Sequence, residues 1–318
     1  MKLFRSIIMG LVVIAISTGG FAWQAEDVHA RSGVRATFYV ASWGNDANNN
    51  IGNNSRKPLR SLSQAIQQAG RVDYGTIQIM DTMFRLPYQD LNLNQSINFN
   101  NNVTLKGGDS RRNVVVYNPY RSLGRLNVTV NSGSFSVYGI YFNDVTLNVT
   151  TNRSSRAEIA GNSFSLYRTR SNTPLLSVQA NGTSWAKVNQ NEFWLNNNLA
   201  SNQYGLLSDS NGAGGTVVSN NLFRFNVRNG SRLSGIKAIG RTSGMSQIYS
   251  NTFNGGTTSN VALDHGNVLG KIYFVSNNLK RFNGSISKET NNPYLYSLSA
   301  SSQRRLTARQ TEVIQTNK

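Results

Sequence analysis

Val218-Ser219-Asn220-Asn221-Leu222-Phe223, Ile248-Tyr249-Ser250-Asn251-Thr252-Phe253 and Phe274-Val275-Ser276-Asn277-Asn278-Leu279 are near-copies of one pattern. The same Asn-x-apolar signature occurs earlier at Asn162-Ser163-Phe164 and Asn191-Glu192-Phe193, so successive asparagines lie 29, 30, 30 and 26 residues apart. A recurring interval of this size marks stacked repeats, each unit burying its apolar face against its neighbours. Within a unit the apolar residues form short alternating runs separated by Gly and Asn, without the i, i+3, i+4 spacing of helical repeats. The pattern predicts an all-β chain folded as a single-stranded, right-handed parallel β-helix with one coil per repeat. Equivalent positions of successive coils superimpose, so Phe164, Phe193, Phe223, Phe253 and Leu279 are expected to form one interior apolar column. The asparagines beside them suit tight turns and can pass amide hydrogen bonds from coil to coil, which assigns them to the scaffold.

Outward from this core, strand alternation continues toward the N terminus at residues 37–41, 77–79, 103–107, 114–117, 126–130 and 137–142. One helix interrupts it. Ser61 stands as an N-cap before Leu62, Ala65, Ile66 and Ala69, whose spacing makes one apolar face ending at Gly70. An open β-helix exposes strand edges that would pair with other chains, and this helix is placed to cap the first coil. The β-helix domain is expected over residues 35–290. The remainder, 291–318, with Pro293, Arg304, Arg305, Leu306 and Arg309, is either a second cap or a disordered basic arm.

The N terminus reads as an export signal. Lys2 and Arg5 precede a ten-residue apolar run, 7–16, broken by Gly10, and small residues follow. That run is too short to span a bilayer. Cleavage after Ala22 and cleavage after Ala30 both fit, so residues 1–22, or up to 30, form the expected leader of a secreted protein, periplasmic or extracellular, with no transmembrane segment after processing. The 318 residues contain no cysteine, which excludes disulfides, thiolate metal sites and a cysteine nucleophile. His29 and His265 are the two histidines, too few for a multi-histidine metal site. The formal charge is +18; losing Lys2 and Arg5 lowers it by two, to +16. Such a field selects polyanions. Nucleic-acid motifs of known folds are not visible, so an acidic polysaccharide is the expected partner, with no nucleic acid and with a monomer as the expected state.

Aligning the coils on their Asn-x-Phe turns brings Gly205-Leu206-Leu207-Ser208, Gly235-Ile236-Lys237-Ala238, Ala262-Leu263-Asp264-His265 and Ser285-Ile286-Ser287-Lys288 into register. Neighbouring coils are about 4.8 Å apart, so Lys237 is expected beside Asp264, with His265 and Lys288 one coil further on and Arg241 and Asp209 flanking. These residue types match β-elimination at a uronic-acid linkage. That reaction needs a base at C5, a cation for the neighbouring carboxylate and an acid for the leaving oxygen. Lys237, Arg241 and His265 are the candidate catalytic groups; Arg232, Asp264, Lys288 and Asp209 are candidate substrate-binding groups. Hydrolysis wants two carboxylates across the bond, and only Asp209 and Asp264 are well placed. The competing reading is a surface ion pair that helps the coils stack.

Asn221-Leu222-Phe223, then 230–238, then Asn251-Thr252-Phe253 and Leu263-Asp264-His265-Gly266-Asn267 resemble the core of the family six polysaccharide lyases, the chondroitinase-B and alginate-lyase group. Phe38-Tyr39-Val40 through Gly44-Asn45-Asp46 to Ala65-Ile66 is similar to the start of many secreted β-helix proteins. The resemblance spans about residues 37–285 and implies that Lys237 is the base and Asn221 a calcium-binding asparagine. The positions of the two calcium-binding glutamates hold Gly230 and Arg232, and that of the arginine acid holds Asp264. The resemblance therefore implies a calcium-independent lyase without a cofactor, Arg232 replacing the metal's charge and Arg241 or His265 acting as acid. The alternative is a non-catalytic, polyanion-binding matrix or surface protein.

Overall fold

The computed structural model describes residues 33–47, 49–98, 101–108, 114–120, 122–167, 173–196, 203–227, 232–265, 270–287 and 295–298. The expected leader, most of the expected tail and the candidate substrate-binding residue Lys288 lie outside these residues.

From Tyr74 onward the chain visits three parallel sheets in fixed rotation and builds a right-handed parallel β-helix. The first sheet has ten strands, from Arg35–Val40 and Tyr74–Ile79 to Lys271–Val275 and Leu295–Leu298. The second has eight, from Met83–Arg85 to Asn278–Phe282, and the third has eight, from Asn92–Ile97 to Ser285–Ser287. Side chains alternate between the lumen and the outside, as in Tyr74–Ile79, where Gly75, Ile77 and Ile79 are buried and the residues between them are half-buried. The strand Leu295–Leu298 pairs with Lys271–Val275, so the first sheet continues past residue 290.

The lumen is lined by superimposed residues. Phe84, Val116, Phe142, Phe164, Phe193, Phe223 and Phe253 pair one above the next through the second sheet. The rings from Phe142 to Phe253 stack nearly parallel, with centroids 5.1, 5.2, 4.7 and 4.9 Å apart. Leu279 is buried but does not continue the stack, because the register shifts between Thr252 and Asn254. Tilted Phe274 and Phe282, each 6.1 Å from Phe253, close it instead.

Beside the rings, Asn162, Asn191, Asn221, Asn251 and Asn277 form a buried ladder, none more than 2% exposed. The Oδ1 of each of the last four accepts from both the backbone N–H and the Nδ2 of the asparagine one coil earlier, at 2.9–3.1 Å. The residue before each ladder asparagine is left-handed: Gly161, Gln190, Asn220, Ser250 and Ser276, φ 52–63°. This strained conformation turns the chain from the first sheet to the second, and the ladder stabilises it. The same corner explains a difference from expectation. Residues 137–142 are not one strand; Gly139, φ 66°, divides them into Ser134–Tyr138 and Ile140–Asn143 on different sheets.

The helix Leu62–Ala69 packs Leu62, Ala65, Ile66 and Ala69 into the core and lies across the first strands of the first and third sheets. Gly75 admits it, since a Cβ there would stand 2.6 Å from that of Ala69. Ser61 caps the helix N terminus as expected, accepting from the Gln64 N–H. A second cap comes from Asp90, fully buried, whose carboxylate accepts from the N–H groups of Leu62 (2.6 Å) and Ser63 (3.3 Å). Burial pushes the Asp90 carboxyl above its ordinary value, against the lowering effect of hydrogen bonds from Ser63 and Leu62. A carboxyl raised on folding binds its proton more tightly in the native state, so its contribution to stability is complete below the unfolded value of about 3.9 and is lost as pH rises through the folded one. Urea midpoints measured between pH 4 and 7 are therefore expected to fall with pH by a component that Asp90→Asn removes. An unchanged pH slope in the variant would contradict this assignment.

Candidate functional site

The third sheet aligns Leu207, Lys237 and Asp264 in one column and Ser208, Ala238 and His265 in the next. This is the register expected for these coils. In the following coil Ser285 pairs with Val261 and Ser287 with Leu263, one residue away from the expected alignment.

Alternation along the strand Leu233–Arg241 decides which side chains meet. Ile236 and Ala238 are fully buried, Lys237 is half-buried and Arg241 is exposed. His265 pairs with Ala238 and is 0% exposed, so it lies on the luminal face, while Lys237 lies on the outer one. It terminates a luminal column that runs Val149, Val178, Ser208, Ala238, His265. The lumen of these later coils is also hydroxyl-rich: Ser208 and Thr216 are 2.6 Å apart, and Thr216 donates to Ser246 at 3.0 Å. Lys237, Arg241 and His265 thus do not share one surface.

On the outer face, Lys237 is held by Tyr204. Its Nζ donates to the Tyr204 Oη at 3.5 Å and lies 4.9 Å from the ring centroid. Such a cation over an aromatic face is worth about 0.5–1 kcal/mol at an exposed site and more when desolvated. Tyr204 was not among the candidates from sequence. It sits one residue before the aligned Gly205-Leu206-Leu207-Ser208 segment, and its partner in the register is Ser234. Asp264, 8% exposed, is the register partner of Lys237 on the next coil.

Arg241 reaches back one coil to Asp209. Its Nε lies 3.2 Å from both carboxylate oxygens, and its Nη2 is 3.1 Å from Oδ2. The carboxylate is nearly buried and the guanidinium half-exposed, 9% against 56%. This bidentate, partly desolvated geometry is stronger than an ordinary surface pair and fixes both groups. Arg232 is exposed immediately before the strand.

The residues do not fit a calcium ion of the kind the resemblance implies. Asn221 is 1% exposed, its Oδ1 receives Asn191 and its Nδ2 donates to Val188 and Asn251. Arg232 supplies charge of the wrong sign. Elsewhere the outer face of the third sheet carries stacked amides beside the exposed Arg125, with Asn148 donating to Asn127 and Asn127 to Asn94 at 2.7 and 2.8 Å. A parallel ladder links Asn181, Asn152, Asn131 and Asn98.

Chemically, the outer site offers an amine beside a phenol, a carboxylate on the adjoining coil and a fixed arginine–aspartate pair. It can hold a carboxylate or hydroxyls, and the amine and phenol are close enough to exchange a proton through one substrate group. Among the described residues no helix is long and apolar enough to cross a membrane. No protein-family model, curated protein or solved structure matches the chain, so the fold and this geometry are what the functional reading rests on.

Proposed function

We propose that this is an exported protein that binds an acidic, uronate-containing polysaccharide, with Lys237 and Tyr204 forming the contact site on the third sheet. The observation that carries this reading is the Lys237–Tyr204 pair: a cation immobilised on the outer face, 4.9 Å over an aromatic ring, beside a hydroxyl. The +18 formal charge favours the same class of ligand. Export rests on the leader-like N terminus.

A second reading, β-elimination, is favoured by the same 3.5 Å separation, since Lys237 could take the C5 proton and Tyr204 deliver one to the leaving oxygen. His265 has no part in it, being on the luminal face. Arg232 is the exposed cation left to neutralise the uronate carboxylate, because Arg241 is engaged by Asp209.

One experiment addresses both readings: binding of alginate, pectate and chondroitin alongside the ultraviolet absorbance of unsaturated uronate products. Lys237→Ala is expected to weaken binding about tenfold, the loss of one charge-assisted contact. If product forms, Lys237→Ala should abolish it and Tyr204→Phe lower it by roughly 10²- to 10⁴-fold. Wild-type protein with no affinity for any uronate polymer would overturn the proposal; binding without product would leave a non-catalytic receptor.

A further inference from the structure

The outer face of the first sheet has a different charge layout from that of the third, and the site above makes no use of it. Reading along the helix axis, one column of paired positions contains Arg35, Tyr74, Asn102, Ser134, Arg156 and Trp185 and ends at Lys271. The adjacent column opens with Thr37, Thr76, Thr104 and Ser136 and continues to Lys187 and Tyr273. In the third column lie Lys106, Tyr138 and Tyr249.

Five cations, Arg35, Lys106, Arg156, Lys187 and Lys271, therefore project from these outward positions. Among the described residues they are opposed there by one carboxylate, Glu158, which is already engaged: it accepts from Lys187 Nζ at 3.0 Å and from the Tyr138 hydroxyl at 2.8 Å. The two aspartates flanking the first strands, Asp73 and Asp81, accept the backbone N–H groups of Val34 and Ser42 at the strand ends. The third sheet, by contrast, sets Asp209 and Asp264 among its cations. At the N-terminal end of the first sheet the face dips into a shallow cleft of about 410 Å³ lined by Arg35, Thr37, Tyr74, Thr76, Asn102 and Thr104. There the Arg35 guanidinium lies 4.9 Å over the Tyr74 ring.

We infer that this face is a second binding track, on which an extended acidic polysaccharide lies parallel to the helix axis. The inference rests on the reading of the protein as a binder of such polymers and gives it a further, longer contact surface. Parallel strands repeat every 4.8 Å or so, so the nine strands from Arg35–Val40 to Lys271–Val275 extend for about 38 Å, enough to engage several units of one chain at once. The cations neutralise carboxylates at intervals, and the Thr37, Thr76, Thr104 and Ser136 hydroxyls supply one neutral donor or acceptor per coil to sugar hydroxyls. Single-stranded nucleic acid, the other polyanion that basic and aromatic surfaces hold, requires open ring faces for its bases. Here Tyr39, Tyr74, Tyr138, Trp185 and Tyr273 are half-buried, Arg35 occupies one face of Tyr74, and the exposed Tyr249 is a single ring where stacking of successive bases needs several. These features favour the glycan.

The triple variant Arg35→Ser, Arg156→Ser, Lys271→Ser, all at exposed outward positions, tests the inference by alginate affinity at low and moderate salt. Binding is expected to weaken about 10- to 100-fold with a shallower salt dependence, because fewer counterions are released. A complementary measurement on the unaltered protein does not depend on the variant folding: saturating alginate should shield Lys106, Lys187 and Lys271 from amine methylation read by mass spectrometry. Undiminished affinity in a folded variant, or shielding of Lys237 without the three first-sheet lysines, would overturn the track while sparing the Lys237 site. Preference for oligothymidylate over alginate of equal charge would overturn the choice of ligand. Failure of the wild type to bind any polyanion would overturn both readings.

Discussion

Asn221→Leu is expected to lower the unfolding free energy by about 3–5 kcal/mol, although it replaces one buried side chain by another of similar size. Asn221 is the third of five ladder asparagines and makes contacts on both sides. Its Oδ1 receives the N–H and Nδ2 of Asn191, at 2.9 and 3.1 Å, and its Nδ2 donates to Val188 O and Asn251 Oδ1, at 3.0 and 2.9 Å. Leucine leaves the Asn191 N–H without its acceptor and withdraws a donor from two buried oxygens. Each buried group deprived of its partner costs about 1–3 kcal/mol, where a net hydrogen bond contributes about 1. Asn221→Asp is a sharper version at neutral pH, because it sets an acceptor where Val188 O and Asn251 Oδ1 require a donor. The contrast is the outer ladder: Asn152→Ala removes a half-buried rung whose partners, Asn131 and Asn181, can turn to water, and should cost less than 1 kcal/mol. Urea midpoints of the three variants check the ordering; equal losses for Asn152→Ala and Asn221→Leu would refute the distinction between inner and outer ladders.

That distinction also explains which parts of the fold can be read from the chain. Asn162 to Asn277 stand out because a buried amide ladder tolerates no substitute that lacks both a donor and an acceptor. The earlier coils obey the same geometry with different chemistry. At Ile140 the ladder ends in a backbone N–H donated to Asn162 Oδ1, and Gly139 makes the corner alone, so no Asn-x-Phe signature marks it. Phe84 and Val116 extend the luminal column without any neighbouring motif. The shortened last interval, 26 residues from Asn251 to Asn277, leaves the ladder intact, and the register shift that displaces Leu279 and Ser285 from their expected partners begins only after Asn278, where no repeat motif marks it.

The candidate site was recoverable only as far as register alone determines it. Pairing of Lys237 with Asp264 follows from the repeat. The position of His265 needed one further step, parity: adjacent strand residues face opposite sides, so a neighbour of Asp264 must enter the lumen if Asp264 points outward. Tyr204 and the Arg241–Asp209 pair depend on how long side chains lean along and across strands, which a one-dimensional alignment does not contain. The polar character of the late lumen, by contrast, was written in Ser208, Thr216 and Ser246, residues that composition alone would assign to the surface.

The Phe253 and Gly235 positions are expected to show strong energetic coupling. Phe253 is fully buried, stacked 4.9 Å from Phe223, and its truncation to alanine should cost about 3–5 kcal/mol through lost contacts and the cavity left behind. Gly235 lies in the strand directly across the lumen. A Cβ added there would stand 2.6 Å from Phe253 Cε1 and 3.0 Å from Cδ1, while the nearest backbone atom, Ala262 O, is 3.1 Å away. The glycine is thus required by the ring rather than by an unusual backbone angle, and Gly235→Ala alone should cost about 1–3 kcal/mol by overpacking. In the double variant the methyl group enters the space the ring vacated, so neither the full clash nor the full cavity persists. The combined loss should fall short of the sum of the single losses by about 1–2 kcal/mol, within the range seen for residues that share a cavity. Gly205 is the control, because a Cβ there meets Gly235 O at 2.9 Å before it reaches the Phe223 ring at 3.3 Å. Its clash is with backbone, so Phe223→Ala should relieve Gly205→Ala much less. Additivity at both pairs would mean that the stacked rings are not what keeps the opposite strand free of side chains.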